Sequence, residues 1–140
     1  MSHVVIDASV AVKWFLPEED SDAALAVLHA GHELLAPELL YAEAGSVLRK
    51  RALRGEFDST SGLNMLKWLM QIRIDIRSHR TLADSAWAIS AQYGQSFYDS
   101  LYLALAIATE TQLVTADKRF FNAIRRTPLA GHIAGVAEAS

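Results

Sequence analysis

Val4-Val5-Ile6-Asp7-Ala8-Ser9 is an apolar run that stops on a carboxylate. Three β-branched residues in succession suit a strand covered on both faces, so His3-Val4-Val5-Ile6 reads as a short buried strand. Asp7 then sits at its carboxyl end. The pattern recurs near the other end of the chain, where Gln112-Leu113-Val114-Thr115 is followed by Ala116 and Asp117. Strand-like runs also lie at Glu33–Ala36 and Ile72–Ile76, and His132-Ile133-Ala134 reads as a last one.

Helical stretches separate these strands. Ala8 to Leu16 is expected to be one, with Ser9 as its N-cap and Pro17 closing it. Glu18 to Ala30 follows, with acids in its first turn and Gly31 after its last. Pro37 opens a long helix that Gly55 stops after about Arg54. Ser59 to about Gln71, Leu82 to Tyr93, Ser96 to Thr109, and a short helix from Asp117 to Arg125 complete the set. Strands that alternate with helices predict an α/β fold, a mainly parallel sheet covered by helices. Ligands of such sheets bind beyond the carboxyl ends of the strands, at the topological switch point.

The chain of 140 residues is 51% hydrophobic and 21% charged, which suffices for one core and one domain, residues 1–140. It has no cysteine, which excludes disulfides, thiolate metal sites and cysteine nucleophiles and is compatible with a reducing cytoplasm. The N-terminal residues lack the pattern of a secretory signal, and no apolar run approaches the roughly 20 residues of a membrane helix. A cytoplasmic location is the expectation. The net charge of −3 argues against coating of nucleic acid by bulk positive charge. It does not argue against a nuclease, whose metal-binding carboxylates lower the formal charge.

Most of the 16 acidic residues read as solvated helix faces, Glu18, Glu19, Asp20, Asp22, Glu56 and Asp58 among them. Four do not. Asp7 and Asp117 each follow a strand; each is also a plausible turn or helix cap. Glu43 shares a helical stripe with Leu39, Leu40 and Val47, where an unpaired carboxylate is costly, unless it reaches out to water. Asp99 lies three residues after Ser96, at capping-box spacing, on an apolar helix. All four acids can be placed on one edge of one sheet. Clustered carboxylates either hold protons or recruit cations, and oxygen ligands of this kind suit Mg²⁺ or Mn²⁺.

Four stretches resemble a known family: Val5-Ile6-Asp7-Ala8-Ser9-Val10-Ala11-Val12-Lys13-Trp14-Phe15; Ala36-Pro37-Glu38-Leu39-Leu40 leading to Glu43; Tyr98-Asp99-Ser100-Leu101-Tyr102-Leu103-Ala104-Leu105-Ala106; and Leu113-Val114-Thr115-Ala116-Asp117. In this order and spacing the chain resembles the PIN-domain ribonucleases, and more narrowly the VapC toxins of toxin–antitoxin pairs. The resemblance covers nearly the whole chain. It implies a three-layer α/β/α sandwich and metal-dependent RNA hydrolysis. It matches Asp7, Glu43, Asp99 and Asp117 to the acidic site and Ser9 and Thr115 to polar positions beside it. Asp7 and Asp99 are then the expected direct ligands of Mg²⁺, with Mn²⁺ as an alternative. An RNA substrate, an antitoxin protein and a second copy of the chain are the expected partners. Lys13, Arg49, Lys50, Arg51, Arg54, Lys118 and Arg119 are candidate phosphate contacts. Two rivals stand beside this reading: a catalytically silent binding module on the same scaffold, and a phosphoacceptor or phosphatase-like domain with Asp7 as nucleophile.

Overall fold

The computed structural model describes residues 2–138. Five strands form one sheet: β1 (His3–Ile6), β2 (Glu33–Pro37), β3 (Ile74–Arg77), β4 (Gln112–Thr115) and β5 (Ile133–Gly135). Their order is β3-β2-β1-β4-β5, and all neighbours are parallel. Among the described residues seven α-helices cover it: α1 (Ala8–Ala11), α2 (Ser21–His29), α3 (Leu39–Leu53), α4 (Ser59–Gln71), α5 (Ala83–Tyr93), α6 (Phe97–Ala108) and α7 (Lys118–Ile124).

Side chains of a strand alternate between faces, and the two cores follow that alternation. Val4, Ile6, Leu34, Ala36 and Val114 pack against the layer of α1, α2, α3 and α4. Val5, Leu35, Leu113 and Ile133 pack against α5, α6 and α7. The expected three-layer α/β/α sandwich is therefore the observed architecture. Helix α6 is apolar almost all round, and its residues 100–106 are all buried. The chain leaves β1 toward β2 and β3 on one side, then returns to place β4 on the other side of β1. The switch point thus lies between the carboxyl ends of β1 and β4, where Asp7 and Asp117 are.

Several local readings shift. The N-cap of α1 is Asp7, whose side chain accepts from the Val10 amide, and not Ser9. The expected helix over 8–16 is a single α-turn followed by a 3-10 turn over Val12–Trp14. Pro37 ends β2 instead of opening α3; it lies inside the strand's pairing with β3, opposite Arg77. The first turn of α3 is held from elsewhere, because the Leu39 amide donates to His79 Nε2 at 3.0 Å. The helix expected from Glu18 begins at Ser21, and β3 begins at Ile74, two residues later than the apolar pattern suggested. Gly55 and Gly94 adopt φ of 83° and 69°, the left-handed geometry expected of glycines that stop α3 and α5.

Glu18 is not a solvated helix face. It lies on the turn before α2, where Lys13 and Arg51 both pair with it, Arg51 through two nitrogens. Among the described residues no helix is long and apolar enough to cross a membrane.

Candidate active site

The four acids singled out in the sequence line one cleft of about 270 Å³ at the switch point. Asp7 contributes from the end of β1, Asp117 from the start of α7, Glu43 from α3 and Asp99 from the first turn of α6. Ala8, Ser9, Ser46, Val47, Lys50 and Tyr102 complete the lining. Glu43, Ser46, Val47 and Lys50 fall at helical spacings of three, four and seven, so one stripe of α3 forms a wall.

Asp7 is only 7% exposed and is the most constrained of the four. Its Oδ1 accepts from Ser9 Oγ at 2.5 Å and from the Val10 amide at 3.3 Å, and its Oδ2 accepts from Thr115 Oγ1 at 2.6 Å. Parallel pairing aligns Ile6 with Val114, so the next step along both strands brings Asp7 beside Thr115. Ser9 and Thr115 in turn accept from the Ala116 and Asp117 amides, at 2.9 and 3.1 Å. These two hydroxyls, expected beside the site, lock the β1 and β4 ends into one network.

Helix capping and cleft lining coincide at Asp7 and Asp117. Asp7 caps α1, and Asp117 Oδ1 caps α7 by accepting from the Phe120 amide at 3.1 Å. Ser96 caps α6 through the Asp99 amide, which leaves the Asp99 side chain on the cleft. Glu43 flanks the buried stripe of α3, formed by Leu40, Ala44 and Leu48, and its Oε1 accepts from Tyr102 Oη at 2.7 Å.

The electrostatics are those of an uncompensated acidic site. Burial pushes the Asp7 carboxyl up from 3.8 to about 6, against the pull of its three hydrogen bonds. Burial also raises Asp99, and the Asp117 charge adds to it. Glu43 is raised by burial and by the Asp99 charge, while the Tyr102 hydroxyl lowers it. Among the described residues none of the four forms an ion pair.

The donor chemistry fits a hard divalent cation: it is all oxygen and acidic. A carboxylate offers about four lone-pair sites, so Asp7 keeps one after its three hydrogen bonds. As the side chains stand, no three acids or histidines among the described residues surround a common point closely enough to hold an ion.

The candidate phosphate contacts separate. Lys50 lines the cleft. Lys13 and Arg51 are held by Glu18, and Lys118 by Glu19. Arg49 lies toward a groove between α3 and α4. Arg119 is exposed. Tyr102 was missed by sequence reasoning; the available signal was a tyrosine, whose hydroxyl needs a partner when buried, three residues after Asp99 on an apolar helix.

The family model of the PIN domain matches residues 4–126. The chain belongs to the PIN-domain family. Ribonuclease VapC3 of Pyrobaculum aerophilum is 30% identical to this PIN domain over 118 residues, which span 83% of this chain and 90% of that protein. Ribonuclease VapC1 of Mycobacterium tuberculosis is 33% identical over 122 residues, 85% of this chain and 89% of that one. Among solved structures, a Pyrobaculum aerophilum crystal structure superposes with a TM-score of 0.72 at 23% identity, covering 97% of this chain and 85% of its own. A toxin–antitoxin complex from Klebsiella pneumoniae superposes with 0.69 at 16% identity, covering 95% and 97%. At these identities the two superpositions speak for the fold alone, and they agree with the parallel five-stranded sheet.

Proposed function

We propose that this PIN domain is a metal-dependent ribonuclease, the toxin of a VapBC-type toxin–antitoxin pair, that hydrolyses RNA phosphodiester bonds at the four-carboxylate cleft. The observation that carries the reading is the placement of Asp7, Glu43, Asp99 and Asp117 around one cleft at the switch point, none of them in an ion pair among the described residues. The curated VapC ribonucleases support the activity class.

Asp7 and Asp99 are the residues to hold Mg²⁺, or Mn²⁺ in its place. When bound, such a cation supplies a positive centre beside the scissile phosphate and makes a water more acidic. Ser9 and Thr115 keep the Asp7 carboxylate aimed by hydrogen-bonding both of its oxygens. Glu43 is the better placed residue to take a proton from the attacking water. Burial lifts its carboxyl toward the working pH, whereas Asp117 is exposed at the start of α7. Lys50 is the cation positioned to meet an RNA phosphate. Asp7 is a poorer fit as a covalent phosphoacceptor, because both its oxygens are engaged and it is buried.

An antitoxin is the expected protein partner, supported by the Klebsiella pneumoniae neighbour being a toxin–antitoxin complex. The groove of about 250 Å³ between α3 and α4, lined by Leu48, Leu63 and Leu66, offers it an apolar seat. A second copy of the chain is the other expected partner.

The test is cleavage of end-labelled RNA by purified protein with Mg²⁺, Mn²⁺ or EDTA. Asp99→Asn is expected to lower the rate at least 100-fold and to weaken Mn²⁺ binding, with the thermal unfolding transition retained. Wild-type protein that cleaves no RNA with either metal, or undiminished cleavage by Asp99→Asn, overturns the reading. Sequencing RNA ends after induced expression then identifies the target.

A further inference from the structure

Tyr102 is one of the largest fully buried side chains, 1% exposed, on a helix that is apolar almost all round. Phenylalanine would fill the same core volume, so the hydroxyl is the feature that calls for a reason. It donates to Glu43 Oε1 at 2.7 Å, between residues 59 positions apart. The bond joins opposite layers of the sandwich, since Tyr102 belongs to the core under α6 and Glu43 projects from α3 on the other face. It reaches across at the carboxyl edge of the sheet, where both residues line the cleft. Asp99 and Tyr102 are three residues apart on α6, so one face of that helix presents an acid and the group that fixes a second acid.

We propose that Tyr102 is a positioning residue: its hydroxyl pins one oxygen of Glu43 and thereby aims the other into the cleft for the attacking water. This rests on the ribonuclease reading above. Burial, then the neighbouring Glu43 charge, hold the Tyr102 hydroxyl far above the usual phenol range, so it stays protonated and remains a donor. A half-buried glutamate has three side-chain torsions to fix, and a charge-assisted bond from a rigid, fully packed ring fixes its end at little further entropic cost. Tyr102 itself is too deeply buried to bind RNA.

Tyr102→Phe, Glu43→Gln and the double variant test this in single-turnover and steady-state RNA cleavage. Misaiming a catalytic group by about 1 Å costs on the order of 100-fold. Tyr102→Phe is therefore expected to lower kcat about 10- to 100-fold while KM for RNA stays within about twofold. Mn²⁺ affinity in the absence of RNA, read by calorimetry, is expected to stay within about twofold, because Asp7 and Asp99 are untouched. The double variant is expected to cleave no more slowly than Glu43→Gln alone, as coupled residues do not add. Wild-type kcat in Tyr102→Phe beside a crippled Glu43→Gln overturns this proposal and leaves the ribonuclease reading standing. So does a double variant in which the two losses multiply, or a Tyr102→Phe protein whose Mn²⁺ affinity collapses, which marks a merely structural role. Full activity in Glu43→Gln removes Glu43 from the proposed mechanism and overturns the role of Tyr102 with it.

Discussion

Replacing Asp7 by Asn is expected to abolish cleavage and to stabilise the metal-free protein. The carboxyl rises from 3.8 to about 6 on folding, chiefly through burial. A rise of that size corresponds to about 3 kcal/mol. Because the folded-state value is the higher one, the folded protein holds the proton more tightly. Wild-type stability is therefore lost as pH rises from about 4 to 6, and the full cost is borne above that. Asn carries no such cost. It keeps an oxygen for Ser9 Oγ and the Val10 amide, but its amide nitrogen faces Thr115 Oγ1, whose hydroxyl must turn round; that costs about 1 kcal/mol. The net gain at pH 7.5 is about 2 kcal/mol, or about 6 °C in Tm for a domain of this size. Thermal and urea unfolding in EDTA at pH 4, 5, 6 and 7.5 measure it. The gap between variant and wild type should open between pH 4 and 6 and then stay level. Saturating Mg²⁺ should narrow it, because a ligand that binds only the folded wild type stabilises it. A variant less stable than wild type at pH 7.5 in EDTA, or a gap independent of pH, refutes the argument.

Thr115→Val removes the donor to Asp7 Oδ2 and the acceptor for the Asp117 amide from a residue 1% exposed. Urea unfolding should show a loss of about 1–3 kcal/mol, and no loss would contradict the network described. Lys50→Ala should raise KM for RNA several-fold with kcat nearly unchanged. A plot of log affinity against log salt should also flatten by about one phosphate contact; an unaltered salt slope would remove Lys50 from the RNA path.

Strands β1 and β4 and the acids after them were legible because β-branched runs ending in a carboxylate leave few alternatives. The convergence of the candidate acids was legible from the order of elements, which places Asp7 and Asp117 on one sheet edge and brings Glu43 and Asp99 to it from α3 and α6. What eluded the sequence depends on partners distant along the chain. Ser9 has the right chemistry for a cap, but Thr115 and Ala116, more than 100 residues away, draw it into the Asp7 network. Pro37 resembles a helix opener, yet pairing with β3 keeps it extended. Glu18 looks solvated until Arg51 arrives from α3. The hydroxyl of Tyr102 gains its meaning only from Glu43, on a helix of the opposite layer.

The hydrogen bond between Asp7 and Thr115 spans 108 residues. A chain emerging from the ribosome at about 5–20 residues per second exposes Asp7 early but has no β4 to pair with β1 until the 108 residues that separate Asp7 from Thr115 have been added. Every shorter fragment lacks Thr115, Asp117 and the central strand pairing on which the cleft is built. The order of synthesis therefore leaves the cleft unformed until β4 has emerged. It also makes truncation before Gln112 a complete loss of the cleft, because β4, Thr115 and Asp117 go with it.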